Sequence, residues 1–213
     1  MSRKDYTDRF TLTAASTKLA SPAERILAAA DRLFYSQGIH VGVDAVAAEA
    51  GVSKRTLYNH YATKNDLVAA YLLARFRHIA PSDAPAREQL LGYFDYLERV
   101  FASPAYRGCP YVNAVCELSD PRHPAAIIAR RFKLERREWI RALLLRLGAS
   151  DPDELATQIQ LLIEGAVAST LVRGDPALAR AARGAAETLL DASLNPSSDR
   201  RVARRRTRRR SDA

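Results

Sequence analysis

Ser53, Lys54, Arg55, Thr56, Tyr58, Asn59 and His60 put hydroxyl, cationic, amide and imidazole groups within eight positions, and Lys64 follows four residues on. These types suit hydrogen bonding to nucleic acid. Arg or Lys pairs with guanine, Asn with adenine, and hydroxyls and amines with phosphate. Lys54, Arg55, Thr56 and Asn59 are the candidates for base edges, and Tyr58, His60 and Lys64 for phosphates. No comparable set exists for catalysis. There is no Gly-rich phosphate loop and no His-Glu-x-x-His, and His40, His60, His78 and His123 are too scattered for a metal pattern. Asp120, His123 and Cys109 are right in type for a nucleophilic centre, but three such residues are common by chance. No enzyme activity, cofactor or metal is expected.

Side chains can read DNA only from a rigid mount, and the flanking residues supply one. Val43, Val46, Ala47 and Ala50 recur at helical spacing, giving one apolar face. Gly51 suits the left-handed residue that ends a helix. Val52 can plug the corner, and Ser53 can cap a second helix over about 54–60, whose Leu57 and Tyr61 face inward. A helix, a glycine turn and a polar helix form the helix-turn-helix arrangement, in which the second helix enters the major groove. The alternative is an ordinary helical hairpin with a solvated basic face. Ser21-Pro22-Ala23-Glu24 starts a bracing helix as a capping box with proline in its first turn, running to 37 before Gly38. Thr63, with Asp66 three residues later, caps another that runs to about 79.

Residues 26–67 resemble the TetR family of one-component transcription regulators. The resemblance rests on Ile26, Ala30, Leu33, Phe34, Gly38, Val43, Val46, Ala47, Ala50-Gly51-Val52-Ser53, Thr56-Leu57-Tyr58, His60-Tyr61, Lys64 and Leu67, over about a fifth of the chain. It implies an all-α fold of about nine helices, a DNA-binding domain followed by a ligand and dimer domain, and most often repression. It also favours a phosphate contact at Lys64, where residue type alone leaves a solvated lysine equally open. The chain departs from the family at Val41-Gly42-Val43, where Ser or Thr is usual, so Gly42 must cap without a side chain.

The net charge of +9 is uneven: eight arginines and two aspartates fall after residue 194. Residues 1–20 read as a disordered basic arm, 21–80 as the DNA-binding domain, 81–194 as a helical ligand and dimerisation domain, and 195–213 as a disordered arginine-rich tail. The tail is either a solubilising end or a source of non-specific DNA affinity. In the second case, removing it should lower the slope of log affinity against log salt by ~0.9 for each phosphate it had neutralised; an unchanged slope means an idle tail. No run reaches the 18 apolar residues of a membrane helix and no secretory leader is apparent, so a cytoplasmic protein without a membrane partner is expected.

Beyond the breaker at 81–85, helices are expected over about 87–102, 111–118, 124–147, from Asp151 onward, and 177–194. The run 159–172 is apolar on nearly every side and so should be buried all round. With the alanine-rich last helix it suggests a homodimer seam, the alternative being burial within one subunit. Six of the fifteen Phe and Tyr residues lie between Tyr93 and Tyr111. Tyr93, Tyr96, Leu97, Cys109, Asn113, Glu117, Trp139 and Glu164 are the candidates for a pocket holding a mostly apolar small-molecule effector with one polar or cationic group. The alternative is that the aromatics fill a core and Glu164 reaches across the dimer. Cys109 and Cys116, seven apart, cannot bridge within one helix. Both suit small core residues, or Cys109, at a helix start before Pro110, suits a redox or electrophile sensor. Gly108, Cys109 and the following asparagine resemble an electrophile-sensing branch of the same family. A last alternative is an architectural DNA-binding protein without sequence preference.

Overall fold

The computed structural model describes residues 20–76 and 82–195. Among these residues the chain forms nine α-helices and no strand: α1 (Pro22–Gln37), α2 (Val43–Ala50), α3 (Lys54–His60), α4 (Lys64–Arg75), α5 (Ala86–Phe101), α6 (Pro110–Cys116), α7 (Pro124–Leu147), α8 (Pro152–Arg173) and α9 (Leu178–Leu194). The N-terminal ends are fixed by the residues expected. Ser21 and Glu24 form a reciprocal capping box on α1, and Thr63 and Asp66 form one on α4. Gly42 caps α2 without a side-chain bond. Nearly all of the basic arm and of the arginine-rich tail lies outside the described residues.

Two apolar clusters hold the fold, and they do not follow the covalent order. The first joins α1–α4 to Tyr111 and Ala114 of α6 and Ala125 and Ala129 of α7. The second joins α5, the far half of α7, α8 and α9, around Phe94, Ile140, Leu144, Ile159, Ile163 and Leu190. α7, at 24 residues, is about 36 Å long and enters both.

Four expectations need correction. α4 stops at Arg75 rather than near residue 79, because Phe76 turns extended (φ −72°, ψ 96°) and inserts its ring beside Tyr111 and Phe132. The apolar α8 is not covered on all sides by its own chain: Leu161, Leu171 and Val172 are 65%, 47% and 86% exposed. By length and composition α8 could cross a membrane, so an apolar stretch of that length does exist. Its buried face packs against α7 and α9, and Glu164 in its middle is ion-paired to Lys133. Cys116 is exposed rather than part of the core, because α6 buries its Tyr111–Ala114 face and Cys116 lies off it. Cys109 is half-buried, and both thiols are free.

Candidate nucleic-acid interface

The α2–α3 corner is built as its sequence demands. Gly51 takes φ 62°, a left-handed conformation that a Cβ would strain. Val52 N–H then donates to Ala47 O at 3.0 Å. Ser53 Oγ accepts the Thr56 N–H at 3.0 Å and lies 2.8 Å from Thr56 Oγ1. Leu57 is the one buried residue of α3 and has no exposed surface. It fixes the rotation of the helix, so Lys54, Arg55, Tyr58, Asn59 and His60 emerge on its exposed side. Thr56 is half-buried.

The exposed groups are not equally free to act. Lys54 Nζ is 3.0 Å from Asp44 on α2, and the hydrogen bond to Asp44 raises its pKa and keeps it charged. Lys54 reaches a base only by leaving that partner. Arg55, Tyr58, Asn59, His60 and Lys64 have no side-chain hydrogen bond or ion pair among the described residues. Lys64 is the first residue of α4, beside amide N–H groups at the positive end of the helix dipole. That is a poor place for a cation alone and a good one for a cation sharing a phosphate.

Polar joints tie this unit to α6. The Tyr35 hydroxyl of α1 donates to Gly108 O at 3.1 Å and accepts the Arg107 N–H at 3.0 Å. The Glu117 carboxylate accepts the Ile39 and His40 N–H groups at 3.1 and 3.0 Å, and lies 3.1 Å from His40 Nδ1. Burial pushes the Glu117 carboxyl up, but the His40 ring and the two N–H groups outweigh it and hold it below the ordinary carboxylate value. The joint is therefore intact at neutral pH and weakens only as pH falls through that depressed value.

The proposed effector residues divide into two groups. Tyr93, Tyr96 and Trp139 come together, with ring centroids 5.8 Å (Tyr93–Tyr96) and 5.6 Å (Tyr93–Trp139) apart. Leu97 is buried one turn from Tyr93 on α5. Burial pushes the Tyr93 phenol up to about 12, keeping it a neutral donor. Glu164 pairs with Lys133, whose Nζ also lies 3.5 Å from Cys109 Sγ, and its other oxygen is 3.7 Å from Arg136. Arg136 stacks over Tyr93 and Phe132, at 5.3 and 4.5 Å from their centroids. Glu164 thus finds its partners inside its own subunit. Asn113 and Glu117 lie apart from this group: Asn113 donates to Arg107 O at 2.7 Å, closing the loop before α6, and Glu117 holds the α1–α2 loop. Sequence reasoning missed Lys133, Arg136, Tyr35 and His40. Lys133 and Arg136 sit among many α7 cations, and only their position opposite Glu164 sets them apart.

The chain is similar to proteins of known class. The family model for bacterial regulatory proteins of the tetR family matches residues 26–71. A crystal structure of a TetR-type regulator from Streptomyces avermitilis is 36% identical, with a TM-score of 0.75, covering 82% of this chain and 98% of that one. The HTH-type transcriptional regulator YjdC of Escherichia coli is 30% identical over 105 residues, 49% of this chain and 55% of its own length. The HTH-type transcriptional activator FasR of Mycolicibacterium smegmatis is 35% identical over 80 residues, 37% of this chain and 35% of its own. The chain thus spans little more than half of the first of these curated relatives and about a third of the second.

Proposed function

This chain belongs to the TetR family of DNA-binding transcription regulators, and on that premise we propose that it is a cytoplasmic homodimer that represses from a near-palindromic operator until a small molecule releases it. The observation that carries the reading is α3: donors without internal partners displayed over a fully buried Leu57. Two copies joined through α8 and α9 would set their α3 helices about one DNA turn, ~34–36 Å, or a multiple of it apart. Effector and DNA then favour different spacings of the reading heads, and linkage requires each to weaken the other. Repression is the usual direction in the family, and the activator FasR supports testing the opposite sign by transcription in vitro.

Selecting binding sites from random DNA tests this directly. A palindromic motif is expected; a yield without consensus would favour the architectural reading. On the selected site Arg55→Ala should cost about 1–3 kcal/mol and relax preference at one base pair, whereas Lys64→Ala should weaken all sequences alike. Unchanged base preference in Arg55→Ala removes that residue from the reading set.

A second mode of release has one observation in its favour. The Lys133 ammonium lies 3.5 Å from Cys109 Sγ, setting a cation beside the half-buried thiol. If Cys109→Ser abolishes release by an added electrophile while small-molecule release is absent in the parent protein, Cys109 is the sensor.

A further inference from the structure

The charges around Glu164 point to the sign of the effector. Lys133 on α7 and Glu164 on α8 are paired, and Arg136, one turn further along α7, is 3.7 Å from the other carboxylate oxygen. These side chains are 22%, 26% and 12% exposed, so the group sits inside the protein yet touches solvent. Two cations face one anion, leaving one positive charge uncompensated. Arg136 makes no hydrogen bond within the normal range among the described residues, although its guanidinium carries five N–H donors. What holds it is stacking on Phe132 and Tyr93, which fixes its plane and leaves its N–H edge for a planar acceptor. The facing acceptor, the buried Glu164 Oε1, is itself without a hydrogen-bond partner, so it does not engage the Arg136 N–H edge. Glu164 alone does not satisfy this site.

We propose that the effector is an aromatic monocarboxylate whose carboxylate takes the Arg136–Lys133 position now held in part by Glu164. This deepens the effector reading given above and rests on it. It puts an anionic group in place of the expected polar or cationic one, because Glu164 already pairs with Lys133. A second carboxylate brings the group to neutrality, whereas a cationic ligand would leave two positive charges in a desolvated site. A dianion such as phosphate would overshoot to one negative charge. The ring of the ligand would be received by the aromatic group of Tyr93, Tyr96 and Trp139 beside that guanidinium.

Three probes of one shape and different charge test the proposal: 2-naphthoate, 2-naphthylmethanol and 2-naphthylmethylammonium, each titrated into the full-length protein by calorimetry. Naphthoate should bind about tenfold or more tighter than either of the others, as expected for one charge-assisted hydrogen bond. Arg136→Met keeps a flexible side chain between the two rings and should remove that preference. Glu164→Gln removes the internal competitor and should tighten naphthoate binding. Operator affinity, measured on the same samples, should stay at the parent value in both variants. If Arg136→Met fails to fold, Glu164→Gln and the probe ranking decide. The inference is overturned by binding of none of the probes, by equal or better binding of the alcohol or the ammonium, or by weaker naphthoate binding in Glu164→Gln. Preference for the ammonium or the alcohol would leave the effector site standing and refute only the anion. Loss of operator binding by the parent protein would instead refute the regulator reading.

Discussion

Ala168→Glu should leave the fold intact, split the proposed dimer and weaken operator binding by roughly 10²–10⁴-fold, the advantage of linking two weak sites. Ala168 is exposed in the chain, in line with Leu161, Gly165 and Val172 at intervals of four, three and four residues along α8. Ala181, Gly184, Ala185, Thr188 and Ala192 form a small-residue stripe on the exposed side of α9. Small side chains let helices approach closely, so the proposed seam has little room for a carboxylate, and burying one there is costly. In the monomer the same glutamate is solvated and costs little, about 0.5 kcal/mol or less. Sedimentation velocity at micromolar concentration checks the split, and helical signal checks the fold. A dimer that persists in Ala168→Glu would move the interface elsewhere.

Leu57→Ala should cost about 2–5 kcal/mol of stability, the range for emptying a fully buried leucine site. α3 has seven residues, too few to hold a helix without packing, and Leu57 is its one buried side chain. Against a typical total of about 5–15 kcal/mol, the loss is a large share. Arg55→Ala, two positions away on the exposed side, should change stability by about 0.5 kcal/mol or less while spoiling recognition. Urea unfolding of the two variants side by side separates mount from reader. Equal, small stability losses would mean that α3 is not anchored through Leu57.

The DNA-binding half was legible in the sequence because its signals are local. Caps at Ser21, Ser53 and Thr63, the glycine at 51 and the inward spacing of Val46, Ala47 and Leu57 each act within a few residues, and the structure realises them all. The interior site was less legible because its partners are remote. Lys133 and Glu164 are 31 positions apart, and Glu117 and His40 are 77 apart. Asn113 and Glu117 looked like pocket residues because they are four apart near Tyr111. The short α6 ends at Cys116, however, and leaves Glu117 beyond it, where the α1–α2 loop is the nearest set of donors. The exposure of Leu161 and Val172 could not be read from composition, which reports that a helix is apolar but not which molecule covers it.

The reach of the first apolar cluster into α6 and α7 bears on modularity. A segment cut at residue 80 would lack the Tyr111 hydroxyl bond to Leu72 O, the edge packing of Phe76 on Phe132, and the cover that Ala125 and Ala129 give the first cluster. The reading head is therefore not a cassette that can be grafted by its sequence boundaries. A chimera meant to transplant this DNA specificity has to carry α6 and the first turns of α7 with it, or find a host whose equivalent helices present the same surface. The first turns of α7 answer to one apolar cluster and its far half to the other, so a single helix has to satisfy both.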